Sequence, residues 1–144
     1  MNSVRIIGGA WRRRVLRFPE ADGLRPTPDR VRETLFNWLE QDLSGLSCLD
    51  LFAGSGALGI EAASRGAASV MMVERSPKVV AALRANAERL GAAERVVITR
   101  ADAVEFATLR AADAPRFDML FLDPPYGQGW LGRLAPMLPG LLND

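Results

Sequence analysis

Short apolar runs alternate with amphipathic stretches along most of the chain. Four runs are continuous and rich in aliphatic residues, as expected of strands covered on both faces, and they occupy residues 47–52, 69–74, 95–100 and 117–123. Helical periodicity follows each run, at residues 57–65, 77–90, 103–111 and, interrupted by Pro136, about 129–138. This alternation predicts βαβ units and therefore an α/β fold with a doubly wound, mostly parallel sheet.

A further helix is predicted before the first of these strands. Thr27 has the side chain of a helix N-cap, and Pro28 follows at the position where proline best starts a helix. We expect one apolar stripe on this helix to face the core. Its members are Val31, Leu35, Trp38 and Leu39.

The composition is that of one globular domain. The chain has 144 residues, of which 49% are hydrophobic and 24% charged. No apolar run approaches the ~20 residues that span a bilayer, and the Arg-rich start lacks the apolar region of a signal peptide, so we expect a cytoplasmic protein without a membrane partner. Cys48 is the only cysteine and histidine is absent, which excludes disulfides, Cys/His metal sites and His-based triads. We predict no metal.

Positive charge is concentrated at the start of the chain. Residues 1–32 hold eight arginines against three acidic residues, whereas the rest of the chain holds more acids than bases. We divide the single domain into a basic N-terminal arm, residues 1–28, in which no apolar periodicity is evident, and a core, residues 29–144. The arm is interpreted either as a solvated tail or as a phosphate-binding segment. Candidate phosphate contacts are Arg5, Arg12, Arg13 and Arg14.

The first chemical motif is a glycine loop between the first predicted core strand and its helix. Gly54, Gly56 and Gly59 match the G-x-G-x-x-G pattern, which lets a backbone approach a nucleotide cofactor closely. Glu74 ends the next strand, where a carboxylate can bind ribose hydroxyls. The pattern alone fits NAD as well as S-adenosylmethionine. Asp50 favours S-adenosylmethionine, because a carboxylate beside the loop disfavours a pyrophosphate and suits an ammonium and a sulfonium.

A third strand-end carboxylate, Asp102, could accept a hydrogen bond from the adenine amino group. An ordinary tight turn at the glycines, and a strand-end or helix-capping role for Glu74 or Asp102, remain the structural alternatives. The predicted cofactor contacts are Asp50, Phe52, Ala53, Gly54, Gly56, Glu74, Asp102 and Ala103.

The second motif follows the fourth predicted core strand. Asp123, Pro124, Pro125 and Tyr126 form a D-P-P-Y sequence whose prolines end the strand and fix an extended turn. An exocyclic base amine is a poor nucleophile, because its lone pair is delocalised into the ring. The Asp123 carboxylate and the Pro124 carbonyl could accept its N–H groups and localise that lone pair, while Tyr126 stacks on the base. In the strand order usual for methyltransferases that use S-adenosylmethionine, the first and fourth strands are neighbours, which would bring this motif to the glycine loop.

These motifs resemble the amino-methyltransferases that carry a [D/N]-P-P-[Y/F/W] sequence. Residues 5–9, 12–16 and 25–39 narrow the resemblance to the RsmD family of bacterial 16S ribosomal RNA (guanine-N2)-methyltransferases. The resemblance implies a monomeric Rossmann-like domain, S-adenosylmethionine as methyl donor, and a guanine of 16S rRNA or the small ribosomal subunit as substrate. It also implies that Arg25, Thr27 and Arg32 border the target cleft.

Two other functions remain open. One is another amino-methyltransferase, acting on adenine N6 of a nucleic acid or on a protein glutamine amide. The other is a non-catalytic Rossmann domain that binds RNA through its basic arm. Members of the family usually continue through further C-terminal strands, so we also expect this chain to be C-terminally truncated, with its fourth core strand left as an apolar sheet edge.

Overall fold

A computed structural model describes residues 2–19, 29–39, 42–113, 116–122 and 129–143. The strands are β1 (Asn2–Arg5), β2 (Val15–Phe18), β3 (Ser47–Asp50), β4 (Ser69–Glu74), β5 (Val96–Arg100) and β6 (Met119–Phe121). The α-helices are α1 (Asp29–Trp38), α2 (Ala57–Ser64), α3 (Pro77–Arg89), α4 (Ala103–Asp113), α5 (Trp130–Leu134) and α6 (Leu138–Leu141). None of the described helices is both long and apolar enough to cross a membrane.

The four predicted core strands form one parallel sheet in the order β5-β4-β3-β6. The prediction that the first and fourth of them are neighbours is therefore confirmed. The chain moves outward from β3 to β5 and then returns to β6 on the other side of β3. All four carboxyl ends meet at one edge of the sheet, here called the carboxyl edge, and the opposite edge is the amino edge.

Two apolar layers cover the sheet. Alternate side chains of a strand face opposite sides, so Cys48 joins the layer beneath α2 and α3 while Leu49 joins the layer beneath α4. The first layer also contains the buried side chains of β1, β2 and α1, and the second contains those of α5 and α6. This arrangement confirms the predicted doubly wound α/β architecture.

The described part of the basic arm folds as an antiparallel hairpin. From the sequence this arm shows no evident apolar periodicity, and the structure corrects that interpretation. β1 pairs with β2 in the register Val4↔Leu16. The side chains of Val4, Ile6, Leu16 and Phe18 are buried in the first layer. The alternation is inconspicuous because each strand has only four residues, and because arginines occupy two outward positions, Arg5 and Arg17, and the end of the turn.

The predicted stripe of α1 is wrong for two of its members. Val31 and Trp38 are 54% and 79% exposed, whereas Phe36 is fully buried. The inward face instead follows Arg32, Leu35, Phe36 and Leu39, at helical spacing. The pattern was misread because a charged residue occupies a core position.

The C-terminal residues pack beside α4 and the start of β6. As Pro136 suggested, the predicted last helix is broken: a 3₁₀ turn, Ala135–Met137, separates α5 from α6. Leu142 forms an isolated parallel bridge with Phe117, and the Asn143 side chain donates to Asp118 Oδ1 at 2.9 Å. The outer side of the strand β6 is therefore paired with the C-terminal residues near the point where the strand begins.

Cys48 offers a test of this core. Its side chain is fully buried, and burial together with Asp118 and Asp50 raises the pKa of the thiol to about 11. Because the thiolate is the nucleophile, the folded protein should react with iodoacetamide at pH 8 at least ~100-fold more slowly than the urea-unfolded chain. Mass spectrometry over a time course measures both rates. Equal rates would place Cys48 outside the sheet core.

Candidate active site

The carboxyl edge of the sheet carries the glycine loop, residues 51–56, between β3 and α2. Two backbone bonds fix the loop to the neighbouring strands: Leu51 N donates to Phe121 O at 3.3 Å, and Ala53 N donates to Val73 O at 3.0 Å. The loop therefore sits where the chain order of the sheet reverses between β3 and β6. In open α/β sheets this is the position where ligands bind.

The loop needs glycine where it enters the helix. Gly56 is the residue before α2 and has a φ of 85°, a conformation that side chains disfavour. A Cβ at this position would also lie 2.8 Å from Leu83 Cδ2. Phe52 is half-buried and Ala53 is buried beside it, so the loop is packed on the core and not merely solvated.

Glu74 holds the glycine loop from the adjacent strand. Its Oε1 accepts from Gly54 N at 3.2 Å, and its Oε2 accepts from Ser76 N at 2.9 Å. The side chain is half-buried. Because a carboxylate offers about four acceptor positions, these two bonds leave capacity for hydroxyl donors of a ligand.

Asp50 supports the start of α2 from beneath the loop. Asp50 is only 1% exposed, and its Oδ2 accepts a hydrogen bond from Gly59 N at 3.2 Å. A Cβ on Gly59 would lie 3.3 Å from the same oxygen and 3.0 Å from Met72 Cγ. The third glycine of the motif therefore allows close packing of helix and strand.

Asp102 caps α4. Its Oδ2 accepts from Val104 N at 3.0 Å and from Glu105 N at 3.1 Å, which is the geometry of a helix N-cap. Ala103 beside it is buried. The capping alternative considered for Asp102 is thus part of its role, while Oδ1 takes no hydrogen bond from the described residues.

Asp50, Glu74 and Asp102 give the carboxyl edge a negative character near the loop. Arg75 and Arg100 lie at the same edge, but their side chains are exposed and solvent screens them more strongly. The edge favours a cationic ligand over a pyrophosphate.

Several predicted site residues lie outside the described residues. They are Asp123, Pro124, Pro125, Tyr126, Arg25 and Thr27. Leu122, which precedes the D-P-P-Y motif, is described and half-buried directly after β6. The predicted roles of these six residues stay predictions.

Arg32, which was expected to border the target cleft, lies in the interior instead. Its side chain is 0% exposed and pairs with Glu61, with Nη1 at 3.1 Å from Oε1. A guanidinium in this position would have to leave a buried carboxylate to reach a phosphate, which is costly. Arg5, Arg12, Arg13 and Arg14 are exposed, on β1 and in the hairpin turn.

Glu61 is the centre of a buried cluster that sequence reasoning missed. Besides Arg32, its carboxylate accepts from Arg65 Nε at 2.8 Å, and from the backbone N–H groups of Ile7 and Gly8, both at 2.9 Å. The cluster joins the hairpin, α1 and α2. The available signal was a glutamate in a helix of otherwise small and apolar residues, four positions before an arginine.

The cluster reaches toward the active-site strand through aromatic contacts. The Arg65 guanidinium lies 4.8 Å from the centre of the Phe36 ring, and that ring lies 6.0 Å from the ring of Phe121 on β6. Phe121 immediately precedes Leu122 and the D-P-P-Y motif. Glu61 thus belongs to the packing that positions this strand end.

The comparisons with known proteins fit this geometry. The family described as conserved hypothetical protein 95 matches residues 4–142. A relative from Escherichia coli K12, ribosomal RNA small subunit methyltransferase D, is 45% identical over 94% of this chain. The protein of the same name from Haemophilus influenzae is 44% identical over 85%.

The chain spans 66% of the length of the Escherichia coli relative and 64% of that from Haemophilus influenzae. The solved structure of the Escherichia coli protein yhhF superposes on 99% of this chain with a TM-score of 0.88 and 43% identity, and 77% of that protein is covered. The Rossmann-like class I methyltransferase fold is therefore confirmed.

The Glu61 cluster generates a stability prediction. Glu61→Ala leaves two guanidiniums and two backbone N–H groups buried without their carboxylate, so we expect the free energy of unfolding to fall by about 3–5 kcal/mol. Urea denaturation measures it. Glu88→Ala, on the exposed side of α3, is the control and should change stability by less than ~0.5 kcal/mol. A loss below ~1 kcal/mol at Glu61 would contradict the central role of this carboxylate.

Proposed function

Because the chain belongs to the RsmD family of ribosomal RNA methyltransferases, we propose that it transfers a methyl group from S-adenosylmethionine to the exocyclic N2 of a guanine in 16S ribosomal RNA. The observation that carries the proposal is the glycine loop at the switch between β3 and β6. Glu74 holds this loop from one side, and the strand leading to the D-P-P-Y motif bonds to it from the other.

The residues of the carboxyl edge fit S-adenosylmethionine. Glu74 retains acceptor capacity for ribose hydroxyls, and Asp102 Oδ1 can accept from the adenine amino group. Asp50, buried beneath the loop, supplies negative charge for the ammonium and sulfonium groups. When bound, the cofactor supplies a methyl group made electrophilic by the positive sulfur.

The D-P-P-Y motif would supply the base side of the reaction. Asp123 and the Pro124 carbonyl accept N–H groups of the target, which localises the nitrogen lone pair toward the methyl group. As the new bond forms, positive charge develops on the nitrogen, so these acceptors bind the transition state more strongly than the substrate. Tyr126 stacks on the base, which must lie in a loop or be flipped from its stack.

A carboxylate at position 123 favours guanine over adenine. Guanine offers two donors side by side, its ring N–H and its amino group, whereas adenine offers one donor beside an acceptor. Adenine N6 and a protein glutamine amide remain alternative targets of the same chemistry. Mass mapping of rRNA from cells with and without the gene tests the proposal, and it fails if no guanine loses a methyl group.

The cofactor assignment predicts binding of S-adenosylmethionine and no binding of NAD. Glu74→Ala removes hydrogen bonds from a charged acceptor and should weaken S-adenosylmethionine binding by about 1.5–3 kcal/mol. Isothermal calorimetry measures both ligands. Because Glu74 also holds Gly54 and Ser76, circular dichroism must first establish that the variant is folded. Binding of NAD, or an unweakened variant, would overturn the assignment.

The catalytic assignment predicts that Asp123 acts in methyl transfer and contributes little to cofactor affinity. Asp123→Ala should slow single-turnover methylation about 10²- to 10³-fold, by analogy with a deleted oxyanion-hole donor. Asp123→Asn keeps one acceptor but presents a donor to the amine, so it should be slowed less. A variant that transfers methyl groups at the unmutated rate would make the motif a structural turn.

Two variants of Tyr126 test whether its ring stacks on the target base. Tyr126→Ala should weaken capture of the base by about 1–3 kcal/mol, whereas Tyr126→Phe keeps the ring and should be nearly neutral. RNA concentration dependence of the single-turnover rate separates capture from transfer. Equal losses in both variants would assign the effect to the hydroxyl and contradict stacking.

A further inference from the structure

The hairpin presents basic side chains on the face turned away from the core. Along its strands, buried Val4, Leu16 and Phe18 alternate with exposed Arg5 and Arg17. Because side chains of a strand alternate between faces, the outer face of this two-stranded sheet carries the arginines.

The turn of the hairpin lies at the amino edge of the sheet, away from the glycine loop. Ala10 N donates to Ser64 O at 2.7 Å, and Trp11 N donates to Ser64 Oγ at 3.0 Å. Gly9 makes this contact possible, since a Cβ there would lie 1.9 Å from Ser64 O. Ser64 ends α2, whose first residue follows the glycine loop, so the turn and the loop lie at opposite ends of one helix.

The end of α3 extends the basic surface. Arg14 Nη2 donates to Arg89 O at 3.3 Å, and Arg89 Nη2 donates in return to Val15 O. Asn86 bonds to both the backbone N–H and the carbonyl of Arg17, at 3.3 and 2.8 Å. β2 therefore runs along the last turns of α3, and it leads from the amino edge toward the carboxyl edge.

Three arginines of this surface lack a carboxylate partner in the described part of the chain. Among the described residues, the guanidiniums of Arg13, Arg17 and Arg89 form no ion pair, and those of Arg14 and Arg89 are oriented by carbonyl and amide oxygens. Glu88 is the one acidic residue of α3, against Lys78, Arg84 and Arg89. Basic side chains thus outnumber acidic ones here and two of them are held in place, as expected where a polyanion binds.

We propose that the sugar-phosphate backbone of the RNA lies along the outer face of the hairpin and the end of α3, from Arg12 and Arg13 at the amino edge toward the carboxyl edge. This inference rests on the proposed function. The phosphates held by the turn are then remote from the methylated base. α2 is 8 residues long, or roughly 12 Å, and α3 is 13 residues long, or roughly 20 Å. Phosphates bound by the turn therefore lie beyond those that flank the methylated base.

The turn offers a variant that removes charge without disturbing the fold. Arg13 has a φ of 72°, which glycine adopts readily and other residues rarely do. Arg13→Gly should therefore leave the melting temperature within a few degrees of the unmutated protein. Arg17→Gln is a second variant, because the bonds between Arg17 and Asn86 use the Arg17 backbone. Arg116→Ala, exposed before β6 at the opposite side of the sheet, is the charge-matched control.

The experiment measures the affinity of each full-chain variant for in vitro-transcribed 16S rRNA over a series of salt concentrations. Each lost phosphate contact should reduce the slope of log K against log salt by roughly 0.7–0.9. We expect this reduction in Arg13→Gly and in Arg17→Gln and not in Arg116→Ala, with unchanged S-adenosylmethionine affinity in all three. Ethylation interference on the RNA should then lose, in Arg13→Gly, signals at phosphates that do not flank the methylated guanine.

The proposed path of the RNA backbone would be wrong if the salt dependence of RNA binding had the same slope in Arg13→Gly and Arg17→Gln as in Arg116→Ala. It would also be wrong if interference were lost only at phosphates flanking the methylated guanine, because the turn would then lie beside the target base. Failure of the proposed function is distinguishable: the unmutated protein would then methylate no guanine of the rRNA, whatever the salt slopes of the variants.

Discussion

The buried carboxylate of Glu61 is the interaction on which the arrangement of the chain depends. It accepts hydrogen bonds from Arg32, Arg65 and two hairpin N–H groups in a place that water does not reach. A buried charge is tolerated only when it is paired and hydrogen-bonded, so the loss of any of these donors would leave the carboxylate less well compensated. Three segments that are distant in sequence, the hairpin, α1 and α2, are thereby fixed to one another. Through Arg65 and Phe36 the same cluster packs against Phe121, where β6 delivers the chain to the carboxyl edge.

Acidic and basic groups of the molecule lie at opposite ends of α2. At its start lie the glycine loop and the carboxylates of Asp50 and Glu74; at its end lies the hairpin turn with its arginines. A net charge of +1 conceals this separation. The acidic end suits a cationic ligand and the basic surface suits phosphates, so opposite charges are concentrated at opposite ends of one helix.

The carboxylates of the candidate site shape the backbone that surrounds them. Glu74 fixes Gly54, Asp50 fixes Gly59, and Asp102 caps α4. The site is therefore arranged by its own hydrogen bonds, and a ligand adds bonds to groups already in position, which lowers the cost of ordering on binding. Asp102 can cap α4 with Oδ2 and still offer Oδ1 to a ligand, so the structural and the functional interpretations of this residue are compatible.

Local patterns of residues were sufficient to predict the parts of the fold that depend on neighbouring positions. The bounds of β4 match the prediction, Ser76 caps α3 with Pro77 at its start, and the alternation of strands and helices indicates the parallel sheet. The glycine loop and its strand-end acids were found for the same reason. The hairpin, the buried face of α1 and the Glu61 cluster depend on contacts between distant segments, which become evident only in the folded chain. Arg32 reads as a solvated charge until its partner is known, and that partner lies 29 positions away, while Gly8 meets Glu61 across 53 positions. Such pairings depend on which surfaces the sheet brings together, and no local periodicity records them.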